Sequence, residues 1–570
     1  MARSYTTDRA GDEAYMGVDI TDFSGGRITD IDPLDLPLNA SPDCMNVKPR
    51  SGSCNGRGGF KILATIKAST NQPDGISFFV DTNGQGHIVV WADGGIYASD
   101  VYGNVTTLNT SIYNPGNRIA NTTYNNQMFW SDGVTIYTSG LNQSGLRYWD
   151  GITSEQMLVG GGAVGSVSPP AAKVLCTYAG SIIAANTVLV GGTVEKHILR
   201  PSAVNDATNF PSALAQNVAP GVGGEINCVV PFSVATESIN LQRTLFVGKS
   251  LENCWGMQGA LGSLVENVLN ISAGVVDGHT AKFVPGPVGQ TGVVCFLATD
   301  GQVYVTNGVE VDSIVKDKIS EEVAALVTTR RQAAFSPLFH AINHDSDNQY
   351  LLDMGGGIQY PYDYKRQNWT MYSGWPSGYW ARGAYPTGQE MLLCATNIGG
   401  NIVIAQCNTT LKDNGAAINP YWSTPDLVGD TSQSGSNAGD KAMAKLWGPL
   451  YLDVSTDSGD FIATLTTNQG EGQTATASTT ITGPALTGGV YGVAKYGSST
   501  YGHSTSQTVL PYSRHFHIAV QNTPPALPEY LKGTTCRIKV AQSLAGKTFQ
   551  LNGIRVKYLL RGIRGSTKEA

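Results

Sequence analysis

Charge is what this sequence has least of. Only 14% of its 570 residues are Asp, Glu, Lys or Arg, against roughly a quarter in an ordinary soluble domain. Helical bundles need Glu, Lys and Arg on their wet faces, so the shortage argues against a mainly helical fold. Long runs of one sign are also missing, and the net charge is −7. A protein that reads nucleic-acid sequence would show a basic face, and none is visible. The one basic cluster is terminal (Arg555, Lys557, Arg561, Arg564 and Lys568) and reads as a solvated chain end. No stretch approaches the roughly 20 apolar residues of a membrane-spanning helix. The opening MARSYTTDRAGDEAYMG has no apolar segment of signal-peptide length. The expectation is a chain that neither inserts into a membrane nor leaves the cell by the secretory route.

The residue patterns of catalysis and metal binding are missing as well. None of the nine Cys forms a C-x-x-C pair. Cys176, Cys295 and Cys394 sit in apolar runs, where a reduced thiol acts as a small hydrophobe. That usage suits a reducing cytoplasm. There is no G-x-S-x-G elbow, no P-loop and no strand-linked G-x-G-x-x-G. The glycine triplets at 160–162 and 355–357 lack the Lys or helix start of a phosphate cradle. His340 and His344 have a spacing that holds metal only on a helix, but their surroundings read as strand, turn, strand. Asp345 and Asp347 resemble the start of a calcium loop, yet the later ligands are wrong. His515 and His517 share one face of a strand with no third ligand nearby. The expectation is no enzyme, no cofactor and no metal.

Glycine, by contrast, is abundant at 68 residues, and hydrophobic residues make up 41%. That balance suits short strands joined by tight polar turns. From about Ser77 one pattern recurs: a short apolar strand, a turn with Asp, Asn or Gly, and a second strand. Its copies fall at 87–100, 126–140, 174–186, 244–258, 292–308, 350–372 and 390–407. Each reads as a hairpin in which Gly or Asn supplies positive φ. Their spacing is roughly that of four-stranded propeller blades, about seven in number. One helix is expected near 316–335, with Ile319, Val323, Leu326 and Val327 on one face and a start at Ser320.

Composition shifts near Asn408. Beyond it, segments at 446–468, 515–522, 535–542 and 549–562 alternate with period two, as in a β-sandwich. A Gly/Ser/Tyr stretch at 483–507 interrupts them. The fold expected is therefore all-β. A β-propeller over 71–410 follows an N-terminal extended segment over 1–70 and precedes a C-terminal sandwich-like platform domain over 411–570.

The opening carries the most specific pattern. Phe23-Ser-Gly25-Gly26 is followed by Asp32-Pro33, Leu36-Pro37-Leu38-Asn39, Ser41-Pro-Asp43, Asn46-Val47 and Arg57-Gly58-Gly59-Phe60. Gly25-Gly26 permits a turn that side chains would forbid. Pro33 and Pro37 stiffen an extended segment, expected to lie along a surface rather than form a core. The ending pairs Phe549-Gln-Leu551-Asn-Gly553-Ile554-Arg-Val556-Lys-Tyr558 with Arg561-Gly562. Together they resemble the tail tubular protein B, or nozzle, group of short-tailed bacteriophages. The motifs cover roughly the first 45 residues of that region and the last 20.

That resemblance implies a structural, non-enzymatic protein of the virion tail, assembled in the host cytoplasm. Copies would form a homo-oligomeric ring, a hexamer, below an adaptor protein and near the tail fibres. The ring would line the channel through which viral DNA leaves without specific binding. Phe23, Gly25, Gly26, Pro33, Pro37, Asn46, Arg57, Gly58, Gly553 and Arg561 would then belong to the assembly interface. An acidic wall fits a conduit that must not grip phosphate. Two alternatives stand beside it. One is another virion propeller, in a baseplate, a fibre dock or a head decoration. The other is a glycan-binding propeller, which would be expected to show repeated Asp-boxes or a cleft of carboxylates and Arg.

Overall fold

The computed structural model describes residues 16–139, 142–160, 165–235, 241–285, 292–332, 339–428, 445–456, 461–470, 473–481, 512–518 and 531–560. These divide into two compact units. One takes the residues up to 59, the short stretch 368–372 and the residues from 410 onward; the other takes 60–367 and 373–409.

The second unit is a succession of antiparallel sheets, seven of them with four or five strands among the described residues. Their first strands begin at Gly75, Ala120, Ala171, Ile226, Lys282, His340 and Tyr379. Within a sheet, consecutive strands are mostly hydrogen-bonded neighbours. The seventh is completed from the far end of the sequence. Strand Gly59–Ala68 lies beside Asn401–Thr410, so the chain ahead of the first sheet supplies the outer strand of the last. The first strands of all seven sheets line one common cavity. This is a propeller-type arrangement.

The second strand of a sheet is buried on both faces, which explains the continuous apolar runs. In Gly86–Ala92, Ile88, Val89, Val90 and Trp91 are all fully buried. Ile88 and Val90 pack with Met391 and Leu393 of the seventh sheet. Val89 and Trp91 pack with Met128 and Trp130 of the second. Alternate residues of one strand thus hold two neighbouring sheets. The same alternation recurs at Ile182 and Ile183, and at Leu245 and Phe246. The turn before Gly95–Asp100 takes left-handed backbone at Asp93 (φ 48°) and Gly94 (φ 78°), as a two-residue hairpin of this hand requires.

Six of the seven expected hairpins form near their expected places. The exception is 126–140. Gln127–Ser131 pairs instead with Ala120–Tyr124 through the Asn125-Asn126 turn, and Tyr137–Ser139 pairs with Asn142–Ser144. Two adjacent Asn in left-handed backbone made the tighter turn, and the Asp132-Gly133 signal became a loop. The helix runs from Ser320 to Gln332. Ile319, Val323 and Val327 are buried, and Glu321, Glu322, Arg330 and Arg331 complement its dipole.

The first unit consists of two sheets facing one core. One sheet contains Val47–Arg50, Ser53–Gly56, Lys445–Thr456, Tyr512–Ile518 and Gln550–Leu560, with Met16–Ile20 and Leu531–Gly533 alongside. The other contains Cys44–Met45, Tyr421–Ser423, Phe461–Gly470, Gln473–Ile481 and Thr535–Gln542. Trp447, Leu452 and Val556 of the first meet Trp422, Leu465 and Ile538 of the second. The period-two alternation is explicit in Thr535–Gln542, whose even positions are all buried and whose odd positions after Thr535 are half-buried. The stretch 483–507 lies outside the described residues.

The opening departs from the expected surface-lying segment. Ile20, Phe23, Cys44, Val47 and Cys54 all belong to the sandwich core. Its apolar residues are spaced to reach that core one at a time, between turns, so no strand period announces them.

Candidate functional site

The residues singled out at the opening make contacts within their own unit. Phe23 is fully buried, with its ring edge-on to Trp422 at 5.4 Å between centroids. The Gly25 amide donates to the Asn39 carbonyl at 2.9 Å. Gly26 adopts φ +68°, and a Cβ there would stand 2.6 Å from the Trp369 carbonyl oxygen. The Pro33 carbonyl accepts from the Asp426 amide at 3.0 Å, and that of Pro37, an exposed residue, accepts from the Ala40 amide.

Asn46 and Arg57 form a buried pair. Asn46 sits in left-handed backbone (φ 58°), and its Oδ1 accepts from Arg57 Nε at 2.8 Å. The rest of the guanidinium forks onto Asp413, at 2.9 and 2.6 Å, and one N–H also reaches the Gly58 carbonyl. The Arg57 side chain has no exposed surface. Such a charge is tolerated because the fork matches a carboxylate and the remaining donors are satisfied.

The two ends of the described chain meet in one sheet. Met16–Ile20 pairs antiparallel with Gln550–Leu560, placing Asp19 opposite Arg555. Their side chains form a two-point ion pair, 2.8 Å on the Nη2 side. Gly553 faces Asp453 in the register, and a Cβ there would make only ordinary contacts. Arg561 lies outside the described residues.

The second unit holds a different constellation. Its axial cavity has a volume of about 320 Å³. Apart from Tyr379 and the neutral thiol of Cys228, the ionisable side chains that line it are basic: Lys173, His279, Lys282, His340 and Arg382. The carboxylates stand behind this wall, already engaged. Asp277 accepts from Arg118 and, at 3.2 Å, faces Nδ1 of His279. Glu225 pairs with Lys173 at 3.3 Å, and Asp345 pairs with Arg382. Rings of His279, His340 and Tyr379 cluster with centroids 5.2 to 5.9 Å apart.

Electrostatics follow from this geometry. Burial pushes the Asp277 carboxyl up, but the Arg118 charge and the His279 hydrogen bond outweigh it and hold it well below the usual carboxylate range. Burial pulls both imidazoles down, His340 well below an ordinary histidine, with Lys282 adding to the effect. Burial brings Lys282 down to about 8, with Asp277 opposing. The cavity wall at neutral pH therefore carries lysine charge beside neutral imidazoles. Asp277, His279 and Lys282 come from one turn and the strand that follows it, Arg118 from a distant loop, and none matches a known motif in the sequence.

His340 and His344 occupy the two ends of strand His340–His344, with the turn Asp345–Asp347 after it, as expected from the sequence. His344 contacts Ser346 Oγ at 2.8 Å and lies 3.6 Å from Asp347. His515 and His517 fall on strand Tyr512–Ile518 opposite Asp453 and Tyr451. No cluster of three metal-ligating side chains occurs among the described residues. Cys176, Cys295 and Cys394 are buried free thiols. Asp353 is buried in the sixth sheet and accepts from Trp380 Nε1, Ser377 Oγ and the amides of Gly355 and Gly378, at 2.8 to 3.1 Å. It braces the glycine triplet at 355–357 through the Gly355 amide. Among the described residues, no helix is long and apolar enough to cross a membrane.

The chain matches no protein-family model and no curated protein. Among solved structures it is similar to selenomethionine-substituted virginiamycin B lyase from Staphylococcus aureus, at 10% identity. That match covers 60% of this chain and 97% of that one, with a TM-score of 0.37. It is also similar to BBS1N in complex with ARL6DN, at 9% identity over 62% of this chain and 98% of that one, again with a TM-score of 0.37. Likeness at this distance assigns no activity.

Proposed function

We propose that this chain is a structural component of a phage tail, a nozzle-like subunit of a homo-oligomeric ring around the DNA exit path. In this reading the seven sheets are the blades of a seven-bladed propeller, and the sandwich is the platform that meets the adaptor. The observation that carries it is the union of the two chain ends. Met16–Ile20, which leads into the opening motif, and Ser53–Gly56, which lies within it, both pair with the ending strand Gln550–Leu560. A platform made from both ends of the chain is what that group's organisation calls for. The low charge, the net acidity and the lack of a nucleophile or metal motif in the sequence fit a conduit subunit that does no chemistry.

Immunogold electron microscopy of purified virus particles with antibody against this chain tests the reading. Label at the tail is expected. Label on the capsid would replace the nozzle by a head decoration. Particles without the protein would overturn a virion role and leave the glycan-binding propeller.

A further inference from the structure

The axial cavity combines three features that a merely packed propeller centre does not need. Its charged side chains are of one sign, although the chain as a whole is acidic. The Lys282 ammonium makes no direct ion pair or hydrogen bond among the described residues and feels Asp277 only at longer range, while Lys173 and Arg382 at the same wall are paired. Nδ1 of His340 is buried, its residue 5% exposed, and has no hydrogen-bond partner among the described residues. A buried polar atom without a partner is destabilising, and so is a partly desolvated cation without a direct partner. Both costs fall on groups that line the same space.

We propose that this cavity is a binding site for a phosphate oxyanion, held by the Lys282 ammonium with His279 and His340 beside it. The oxyanion would supply what the site lacks: a counter-charge for Lys282 and an acceptor for an imidazole N–H. Arg118 is neutralised by Asp277 and positions His279, so Lys282 is the cation left for the ligand. With its pKa of about 8, Lys282 is charged at neutral pH. A concave wall of one sign concentrates the opposite ion. A volume of about 320 Å³ accommodates phosphate or a phosphorylated monosaccharide. Asn121 and Asn227 at the same wall offer further polar contacts.

The test is isothermal titration of the full chain at pH 7 with inorganic phosphate and, separately, with a glucose phosphate. Saturable binding of one or both is expected, with affinity reduced at least about tenfold in Lys282→Met. Tighter binding of the sugar ester would identify a phosphorylated glycan as the source, and tighter binding of phosphate a free ion. The unfolding midpoint of Lys282→Met should not fall, because the substitution removes a cation that desolvation disfavours. If it does fall, Lys282→Gln carries the same measurement. No saturable binding of either probe, or unchanged affinity in a folded Lys282 variant, would overturn the site.

Discussion

Arg57 and Asp413 meet in a buried two-point ion pair, at 2.9 and 2.6 Å, that ties the end of the opening to the segment entering the sandwich. Arg57 also holds the left-handed Asn46 through its Oδ1. The opening motif thus performs a folding task inside its own unit.

Removing one partner of that pair leaves the other charge buried and alone. Asp413→Ala should cost about 3–5 kcal/mol, read as a lower urea midpoint in a transition assigned to the sandwich unit. The double variant Arg57→Met, Asp413→Leu should recover much of the loss, since an apolar pair of similar volume leaves no uncompensated charge. If the double variant is as unstable as the single one, the pair's worth lies in its hydrogen bonds to Asn46 and Gly58.

Gly26 tests the role of the glycine pair. Its φ of +68° and the 2.6 Å approach to the Trp369 carbonyl both exclude a side chain. Gly26→Val should destabilise the sandwich unit by more than about 1–2 kcal/mol. Failure to enter particles would then be traced to misfolding of that unit, and circular dichroism of the isolated variant separates this from loss of an interface. A Gly26→Val protein that melts like the wild type but fails to assemble would return the residue to the interface.

Asp74 carries a pH dependence. Burial raises its pKa from 3.8 to about 6, against hydrogen bonds from Tyr113 Oη and the Gly116 amide. Because the folded protein holds this proton more tightly than the unfolded chain, its contribution is fully present below about pH 4. It is lost as the pH rises through about 6, by at most about 3 kcal/mol. Asp74→Asn keeps the shape and abolishes the titration. Urea unfolding at pH 4 and pH 7 should therefore show a smaller difference between the two pH values attributable to this site in the variant. An identical pH difference in both proteins would show that Asp74 ionises normally.

The sequence by itself determined the class of the molecule. Low charge, abundant glycine and turn signals at Asp93-Gly94 or Gly399-Gly400 dictate short antiparallel strands, because backbone hand and turn geometry are local properties. The helix at Ser320–Gln332 was legible for the same reason: its apolar spacing and acidic start act over a few residues. Where two local signals competed, at Asn125-Asn126 and Asp132-Gly133, the sequence did not rank them.

Only the tertiary structure decided what lies next to what. Phe23 read as part of a surface segment, yet it fills the sandwich core against Trp422, about four hundred residues later in the chain. Met16–Ile20 found its partner in Gln550–Leu560, and Gly59–Ala68 in Asn401–Thr410. The cavity wall was invisible for the same reason. Lys173, the neighbouring His279 and Lys282, His340 and Arg382 come from four distant stretches of the chain. Their common sign matters only because the first strands of seven sheets converge on one axis, where burial and proximity, not sequence spacing, set the chemistry.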